Sequence, residues 1–421
     1  MFQPTFVANM NPRLLSFLVA IGIYLFLTII SYMRLRSWYK DTSYWRKIQF
    51  GVLISELLVI AGLIAVFYRL YNPPVFPSAM QNWLMGASFS MMIGKIIFGL
   101  IVLVDGLIGL PFLGVNLLQK KEITYHPTRR KFVKNAGLVI AGIPFISMIN
   151  GITFGKYAYQ VRRVTLKFHN LPKSFHGFTI AQLSDIHSGS FDNIEEVKKG
   201  VAMVNELQPD LIAFTGDLVN GKTTEVLPFI DVFKELKAKY GVYSTKGNHD
   251  YGIYRQWSTE EDRINDQLLM DDVHQQMGFK LLKNEHAFIE KNNEKIQLVG
   301  VENWGKPPFP QVGDLDKSIG NTDADFKVLL SHDPSHWDEK VRPHKKQFDL
   351  TLSGHTHGMQ FGVEIPGFIK WSPVKYRYPR WAGLYQEGNE YLYVNRGFGF
   401  IGFPGRVGIM PEITLITLET A

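Results

Sequence analysis

The sequence predicts a molecule of two parts: a four-helix transmembrane region followed by an α/β domain built on layered β-sheets. Four long apolar segments precede residue 155, whereas the apolar runs after it are short and of strand length. Several of these short runs alternate with helical patterns, and that alternation is typical of a layered α/β fold. A chain of 421 residues is long enough for both parts, which we place at residues 1–154 and 155–421.

The four apolar segments have the length needed to cross a bilayer. A helix needs about 20 mainly apolar residues to do so. The segments are 14–32, 50–68, a less well bounded one between 83 and 113, and 135–154. Burial of some of them in a soluble core is the alternative, but four such runs in one stretch favour the membrane.

Basic residues in the short loops predict the orientation. Loops rich in Lys and Arg stay in the cytoplasm. The first and third loops are basic and the second, 70–83, has no Lys or Arg; the basic residues are Arg34, Arg36, Lys40, Arg46, Lys47, Lys120, Lys121, Arg129, Arg130, Lys131 and Lys134. We therefore expect both termini, and the whole domain after residue 155, on the extracytoplasmic side of a bacterial cytoplasmic membrane. Residues 128–134 also resemble a twin-arginine export signal, although an ordinary basic flank of a helix explains them equally well.

Three charged residues, Glu56, Lys95 and Asp105, lie within or beside the apolar segments. Charges inside a membrane are costly and often functional. The alternative, which we favour, is that they pair within the helix bundle or reach an interface. Lys95 and Asp105 are about 15 Å apart along a helix, too far to pair with each other within it.

Composition limits the chemistry. The chain has no cysteine, which excludes disulfides, thiolate metal sites and cysteine nucleophiles. Its formal net charge is +7, a balance that favours phosphorylated or anionic-lipid partners. There is no long Lys/Arg tract, so no nucleic-acid partner is predicted. Nothing in the composition indicates an oligomeric state.

Five strand-like runs of the second part end in polar residues. Helical patterns at 194–207, after the N-cap residue Asn193, and at 225–240 lie between the early runs. In layered α/β sheets, residues just past the strand ends converge on one rim. The runs are 178–183, 211–214, 241–245, 326–330 and 348–352, and the polar residues after them include Asp185, His187, Asp217, Asn248, His249, Asp250, His332, His355 and His357.

Asp, His and Asn side chains at one rim predict a site for divalent cations. Oxygen and imidazole ligands suit Mn, Fe or Zn. Two such cations a few ångströms apart can clamp a phosphoryl group and generate a hydroxide near neutral pH. Glycines beside these residues allow the backbone to turn sharply after each strand.

The ordered motifs Asp-x-His, Gly-Asp, Gly-Asn-His-Asp, a lone His and Gly-His-x-His resemble those of the calcineurin-like metallophosphoesterase superfamily over roughly residues 175–360. The membrane-attached branch of that superfamily is the more similar one. Its catalytic domain follows a membrane segment and ends in Gly, Pro and Arg elements, here 395–397, 404–406 and 411–413. The resemblance implies a β-sandwich flanked by helices and a metal-dependent phosphoesterase or phosphodiesterase activity.

The resemblance also implies a role for each motif residue. One metal would be bound by Asp185, His187 and His357, the other by Asn248, His332 and His355, with Asp217 bridging both. His249 would protonate the leaving oxygen or stabilise its charge, and Asp250 would orient His249. All seven expected ligand positions carry competent residues, which argues against an inactive relative. Four other histidines, His274, His286, His336 and His344, lie outside the motifs and are expected to lie on the surface or around the ligands without binding metal, and Glu302 and Asn303 are either site or loop residues.

The stretch 361–381 carries the information on substrate. It interleaves aromatic residues with Lys370, Lys375, Arg377 and Arg380 against one acid, Glu364. Such a mixture suits a membrane interface and an anionic headgroup, although a packed edge loop with a solvated basic fringe fits as well.

The resulting hypothesis is a membrane-anchored binuclear-metal phosphoesterase. It would hydrolyse phosphate ester or pyrophosphate bonds of a lipid-linked or other envelope substrate by attack of a metal-bound hydroxide. One alternative is an enzyme similar to the UDP-2,3-diacylglucosamine pyrophosphohydrolases of lipid A synthesis, whose cytoplasmic substrate conflicts with the predicted orientation. Another is a membrane sensor or transporter whose metal domain only binds a ligand.

Overall fold

The computed structural model describes residues 12–72, 77–118, 127–321, 324–365 and 367–421. Contacts divide these residues into two units, one within Met1–Tyr71 and Leu84–Ile149, the other within Asn72–Trp83 and Asn150–Ala421.

Four long helices form the N-terminal region: α1 Pro12–Tyr39, α2 Trp45–Tyr71, α3 Ala79–Leu118 and α4 Pro127–Thr153. Each is long and apolar enough to cross a membrane, over Leu18–Tyr39, Trp45–Arg69, Ala79–Leu110 and Lys131–Thr153. The third begins earlier than the predicted segment. Outward-facing side chains such as Ile29, Leu57 and Ile143 are more than half exposed, as in helices solvated by lipid. Lys120 and Lys121, on which the predicted orientation partly depends, lie outside the described residues.

The charged residues of the first unit pair with one another across helices. Lys95 Nζ lies 2.5 Å from Glu56 Oε1, and the Tyr24 hydroxyl donates to Glu56 Oε2 at 3.0 Å. Arg34 pairs with Asp105. The prediction that these charges pair within the bundle is confirmed.

The second unit is a β-sandwich of two six-stranded sheets with helices outside. The first sheet has the order β1-β14-β2-β3-β4-β5 and the second β12-β13-β9-β8-β7-β6. The short strands β10 and β11 pair separately as an antiparallel hairpin. The strands are β1 Gln160–Phe168, β2 Phe178–Leu183, β3 Leu211–Phe214, β4 Val242–Ser244, β5 Phe279–Leu281, β6 Glu285–Lys291, β7 Glu294–Gly300, β8 Lys327–Leu330, β9 Leu350–Ser353, β10 Val363–Ile365, β11 Ile369–Trp371, β12 Gly383–Glu387, β13 Glu390–Val394 and β14 Glu412–Thr420.

Side-chain alternation along the strands creates three apolar layers. In β3, Leu211 and Ala213 enter the core between the two sheets, whereas Ile212 and Phe214 face the helices outside the first sheet. In β8, Leu329 likewise turns to the outer core of the second sheet. The predicted fold class, a β-sandwich flanked by helices after a four-helix transmembrane region, is therefore confirmed.

The helices of the second unit follow the prediction in part. They are α5 Ile194–Glu206, α6 Ile230–Phe233, α7 Glu260–Gln276 and α8 Leu315–Ile319. Asn193 caps α5 by accepting a hydrogen bond from the Glu195 backbone N–H at 3.1 Å. The predicted helix at 225–240 is wrong, because only short 3₁₀ turns and the single turn α6 form there. Pro228 stands in the first turn of the 3₁₀ segment Leu227–Phe229, where a missing N–H is tolerated.

Candidate metal centre

All seven predicted ligands come together at the carboxyl ends of the strands. Two groups form, within each of which the ligand atoms lie within 4.8 Å of one another. The first group contains Asp185, His187 and His357, and the second contains Asp217, His332 and His355. Asn248 adjoins the second group, because its Oδ1 lies 2.8 Å from His355 Nδ1.

Asp217, a member of the second group, also reaches the first. Its Oδ2 is 3.0 Å from His332 Nε2 and 3.5 Å from His187 Nε2. The Oδ1 of the same carboxylate accepts a hydrogen bond from the His249 backbone N–H at 2.8 Å, which fixes its rotation. One carboxylate thus reaches imidazoles of both groups.

Backbone carbonyls orient two of the imidazoles toward the centre. His187 Nδ1 donates to the carbonyl of Val219 at 3.2 Å, and His332 Nδ1 donates to that of Thr215 at 2.7 Å. The Nε2 atoms of His187 and His357 are buried and make no hydrogen bond. Buried nitrogens without a partner are rare, and His187, which donates from Nδ1, presents on Nε2 the lone pair that a divalent cation requires. The residues present therefore fit a metal site.

Burial keeps three imidazoles neutral. It lowers the pKa of His187 to about 3 and that of His355 to about 4, and holds the pKa of His357 well below its usual range. Neutral imidazole is the form that binds metal. Burial also raises the pKa of Asp185 to about 6.

His332 and Asp217 behave as an ion pair. Burial opposes both charges, yet the Asp217 carboxylate raises the pKa of His332 to about 10, and the imidazoles around Asp217, His332 first, hold the pKa of Asp217 well below its usual range. A cation in the second group would take the place of the His332 proton.

Five of the seven predicted ligands have left-handed backbone conformations. Their φ angles lie between 48° and 70°; the residues are Asp185, His187, Asp217, His355 and His357. Residues other than glycine are uncommon there, and such conformations concentrate at functional sites. Gly216, at φ 92°, has no space for a Cβ, which would approach the Gly247 backbone nitrogen to 2.4 Å. The loops after β3 and β4 are therefore in direct contact.

His249 lies beside the first group, but Asp250 does not contact its ring. The His249 and His187 rings are 4.9 Å apart, and His249 Nδ1 donates to the Asn220 carbonyl at 2.8 Å. The expectation that Asp250 orients His249 directly is therefore wrong. The Asp250 carboxylate accepts hydrogen bonds from the backbone N–H groups of Asp217, Leu218, Val219 and Gly247. The Asp250 carboxylate therefore faces these four backbone N–H groups and not the His249 ring.

Sequence reasoning assigned no role to Tyr378, Asp333 or Arg406. The Tyr378 hydroxyl lies 2.8 Å from His355 Nε2 and 3.3 Å from Asp333 Oδ2. The Tyr378 hydroxyl donates its hydrogen to Asp333, so it accepts a hydrogen bond from His355 Nε2–H. The lone pair of the His355 ring is therefore on Nδ1, which faces Asn248. The buried guanidinium of Arg406 lies 3.3 Å from His357 Nδ1 and also donates to the Gly397 carbonyl. The signals available in the sequence were the adjacency of Asp333 to His332, the position of Tyr378 in 361–381 and that of Arg406 in the predicted element 404–406.

The remaining residues that were considered lie outside both groups. His274 is buried on α7, His336 stacks on Trp304, and Glu302 contacts the Tyr251 hydroxyl at 3.4 Å. Of the C-terminal elements, Gly397 lies against Asp185 and His357, where a Cβ would approach each to 3.0 Å. Arg396 forms buried ion pairs with Glu412 and Glu364 at 2.5 and 2.6 Å.

Comparison with known proteins finds two family models. The one described as probable calcineurin-like phosphoesterase, transmembrane domain, matches residues 12–156, and the one described as calcineurin-like phosphoesterase matches residues 178–359. The metallophosphoesterase YkuE of Bacillus subtilis is 30% identical over 70% of this chain and 98% of its own. The transmembrane protein with metallophosphoesterase domain of Danio rerio is 27% identical over 90% of this chain and 81% of its own. The phosphodiesterase YaeI of Escherichia coli is 30% identical over 57% of this chain and 82% of its own.

Proposed function

The chain belongs to the calcineurin-like metallophosphoesterase family, and from that premise we propose that it hydrolyses phosphate ester or pyrophosphate bonds with two divalent cations. It is a metal-dependent phosphoesterase, and its four apolar helices make it an integral membrane protein. The observation that carries the two-cation proposal is the position of Asp217, whose Oδ2 lies within 3.5 Å of an imidazole from each group.

In this proposal Asp185, His187 and His357 hold one cation, and Asn248, His332 and His355 hold the other, with Asp217 between them. The cations, which would be Mn, Fe or Zn, would polarise the phosphoryl group and lower the pKa of the attacking water. The chain supplies neutral, buried imidazoles and two carboxylates for this purpose. Tyr378 and Asp333 keep the lone pair of His355 directed at the second cation.

We assign proton transfer to His249. The Asn220 carbonyl accepts from Nδ1 in both protonation states of the ring, which leaves Nε2 to hold and release a proton. The leaving oxygen would receive that proton. Asp250 acts indirectly, by fixing the backbone that carries Asp217 and Gly247.

The test is hydrolysis of p-nitrophenyl phosphate and bis-p-nitrophenyl phosphate by the purified full-length protein, with Mn²⁺ and with a chelator. We expect turnover of at least one substrate with the metal and none with the chelator. His332→Asn should abolish it, whereas His344→Asn, which alters a histidine outside both groups, should not. The absence of metal-dependent turnover of either ester would overturn the proposal.

We further propose a lipid-linked or other envelope substrate. The membrane helices and the aromatic and basic residues of 361–381 support it. Untargeted lipidomics of a strain lacking the gene should show accumulation of a phosphorylated lipid, and an unchanged lipid profile would argue for a soluble substrate.

The orientation and the division of the chain are also proposals. We place the transmembrane region at 1–154 and the phosphoesterase domain at 155–421, on the extracytoplasmic side of a bacterial cytoplasmic membrane. The basic residues at the facing ends of α1 and α2 and between them, Arg34, Arg36, Lys40, Arg46 and Lys47, support this orientation, as does the lack of Lys and Arg in 70–83. A reporter fused after Ala421 should be active only outside the cytoplasm. A cytoplasmic signal would favour a cytoplasmic substrate such as a UDP-linked diacylglucosamine.

A further inference from the structure

We propose that the β10–β11 hairpin and its flanks contact the lipid bilayer directly and present the metal centre to a phosphate carried on a lipid. The contact surface, called here the hairpin patch, consists of Met359, Ile365, Phe368, Ile369 and Tyr376. The lipid contact follows from exposure and charge alone. The assignment of a phosphate on a lipid as the substrate rests in addition on the proposed phosphoesterase function.

The hairpin patch concentrates exposed apolar surface. Phe368, at the hairpin turn, is 85% exposed, the highest value among the large apolar side chains whose exposure the structure describes. Tyr376 is 79% exposed and Met359 58%. Phe361 and Val363, in the same segment, are exposed as well. The other large apolar side chains exposed in the second unit after residue 154 are Leu227, Ile253, Tyr254, Ile264, Leu268, Val312 and Leu384. Ile365 and Ile369 are cross-strand partners and Phe368 lies in the turn between them, so the hairpin gathers its exposed apolar side chains in one place, as an interaction surface does.

The charges beside the hairpin patch favour a bilayer with anionic lipids. Lys375 and Arg377 are exposed, whereas the Lys370 ammonium group turns inward and donates to the Ala382 carbonyl. Glu364, the one acid in 361–381, is paired with two guanidinium groups, at 2.8 Å from Arg162 and 2.6 Å from Arg396. The surface near the hairpin is therefore cationic. Apolar side chains that enter the lipid, flanked by basic groups at the headgroups, are typical of interfacial membrane contacts.

Both ends of the hairpin are attached to the metal centre. Its first strand follows His357 by only a few residues, and the bridge between Phe361 and Val407 holds this segment. After β11, the Ser372 hydroxyl donates to the Gly358 carbonyl at 2.8 Å, and the Tyr378 hydroxyl contacts His355 Nε2. Lipid contact at Phe368 would therefore fix the metal centre relative to the bilayer surface, where the phosphate of a lipid headgroup lies.

The absence of cysteine from the sequence allows a direct test of the contact. Phe368→Cys and Leu268→Cys place a unique thiol at two exposed apolar positions, the second on α7. Each full-length variant is labelled with an environment-sensitive fluorophore and reconstituted in phosphatidylcholine–phosphatidylglycerol vesicles containing a doxyl-labelled lipid. We expect blue-shifted emission and at least about twofold stronger quenching at position 368. Equal emission and quenching at the two positions would overturn the contact. A blue shift at 368 that persists in detergent without lipid and grows with protein concentration would instead indicate a second copy of the chain.

A second measurement tests whether the substrate phosphate is carried on a lipid. Phosphatidic acid and phosphatidylglycerol in the same vesicles offer a monoester and a diester. We expect Phe368→Glu to reduce lipid turnover about tenfold or more and to leave hydrolysis of bis-p-nitrophenyl phosphate unchanged, and Leu268→Glu to alter neither. Hydrolysis of the soluble ester with no turnover of either lipid would overturn the assignment of a lipid substrate. The quenching result does not require activity, so failure of the proposed phosphoesterase function and failure of the lipid contact are separable.

Discussion

The backbone at the metal centre holds its ligands in conformations that the side chains themselves do not favour. Asp185, His187, Asp217, His355 and His357 all have positive φ. For residues other than glycine, each such conformation costs on the order of 1 kcal/mol, and Asn and Asp tolerate it best. Asp217→Asn is therefore a clean probe, because it keeps the shape and the backbone preference while removing one negative charge.

We predict that Asp217→Asn loses at least one metal and lowers the rate on the order of a hundredfold or more. The mutual repulsion of two dications would be poorly offset without the carboxylate between them. The fold should survive, since the apolar cores on both sides of the first sheet do not include the metal centre. Metal analysis, circular dichroism and steady-state kinetics test the three parts. A variant that keeps two metals and near wild-type turnover would contradict the two-cation assignment.

Asp250→Asn should behave differently. The buried carboxylate accepts four backbone N–H groups, and an amide offers one oxygen in place of two. At least one buried N–H would lose its partner, at a cost of about 1–3 kcal/mol. We expect a lower Tm, with a rate loss of roughly 10–100-fold, smaller than that of Asp217→Asn. Asp231→Asn, at an exposed position, is the control. An unchanged Tm for Asp250→Asn would mean that the loop does not depend on this carboxylate.

At the scale of elements, the strands were predictable and one helix was not. The runs 178–183 and 211–214 coincide with β2 and β3, because fully buried strands show as short uninterrupted apolar segments. The pattern at 225–240 has helical periodicity, yet only 3₁₀ turns and the single turn α6 form there. The exposure of Phe368 was also not predictable, since aromatic residues in a strand-like segment more often pack inward.

Helix α7 carries a buried histidine whose charge is linked to stability. His274 Nδ1 donates to the Met270 carbonyl at 2.8 Å, and burial lowers its pKa from 6.5 to about 4. Between these values the unfolded chain binds the proton and the folded chain does not, so stability falls as pH drops from about 6.5 to 4. The loss from this group amounts to at most about 3 kcal/mol.

We therefore predict that His274→Phe reduces the pH dependence of unfolding between pH 4 and 6.5. Thermal unfolding of the full-length protein in detergent with chelator, recorded across that range, measures the slope for both proteins. Other buried histidines contribute to both slopes, and the difference isolates His274. An identical slope in the variant would show that this ring does not titrate with unfolding.

At the scale of the whole molecule, sequence order predicted which residues meet but not how they are held. The ligands were identifiable because each follows a strand end at one rim. The contact of Tyr378 with His355 was not, since it depends on the path of 361–381 around the centre. The same holds for Asp250, because its partners are backbone groups that no side-chain pattern records.

The strand order of the first sheet has a consequence for biogenesis. Strand β14 lies between β1 and β2 and pairs with both, although more than 200 residues separate it from either. Until residues 412–420 are available, β1 has no neighbour in its sheet and β2 has one free edge. Pairing at such sequence separation is slow, and unpaired edges invite aggregation. A ribosome that stalls before β14 would therefore leave the four membrane helices inserted with an incomplete, aggregation-prone sheet attached to them. Quality-control proteases would have to remove such a product.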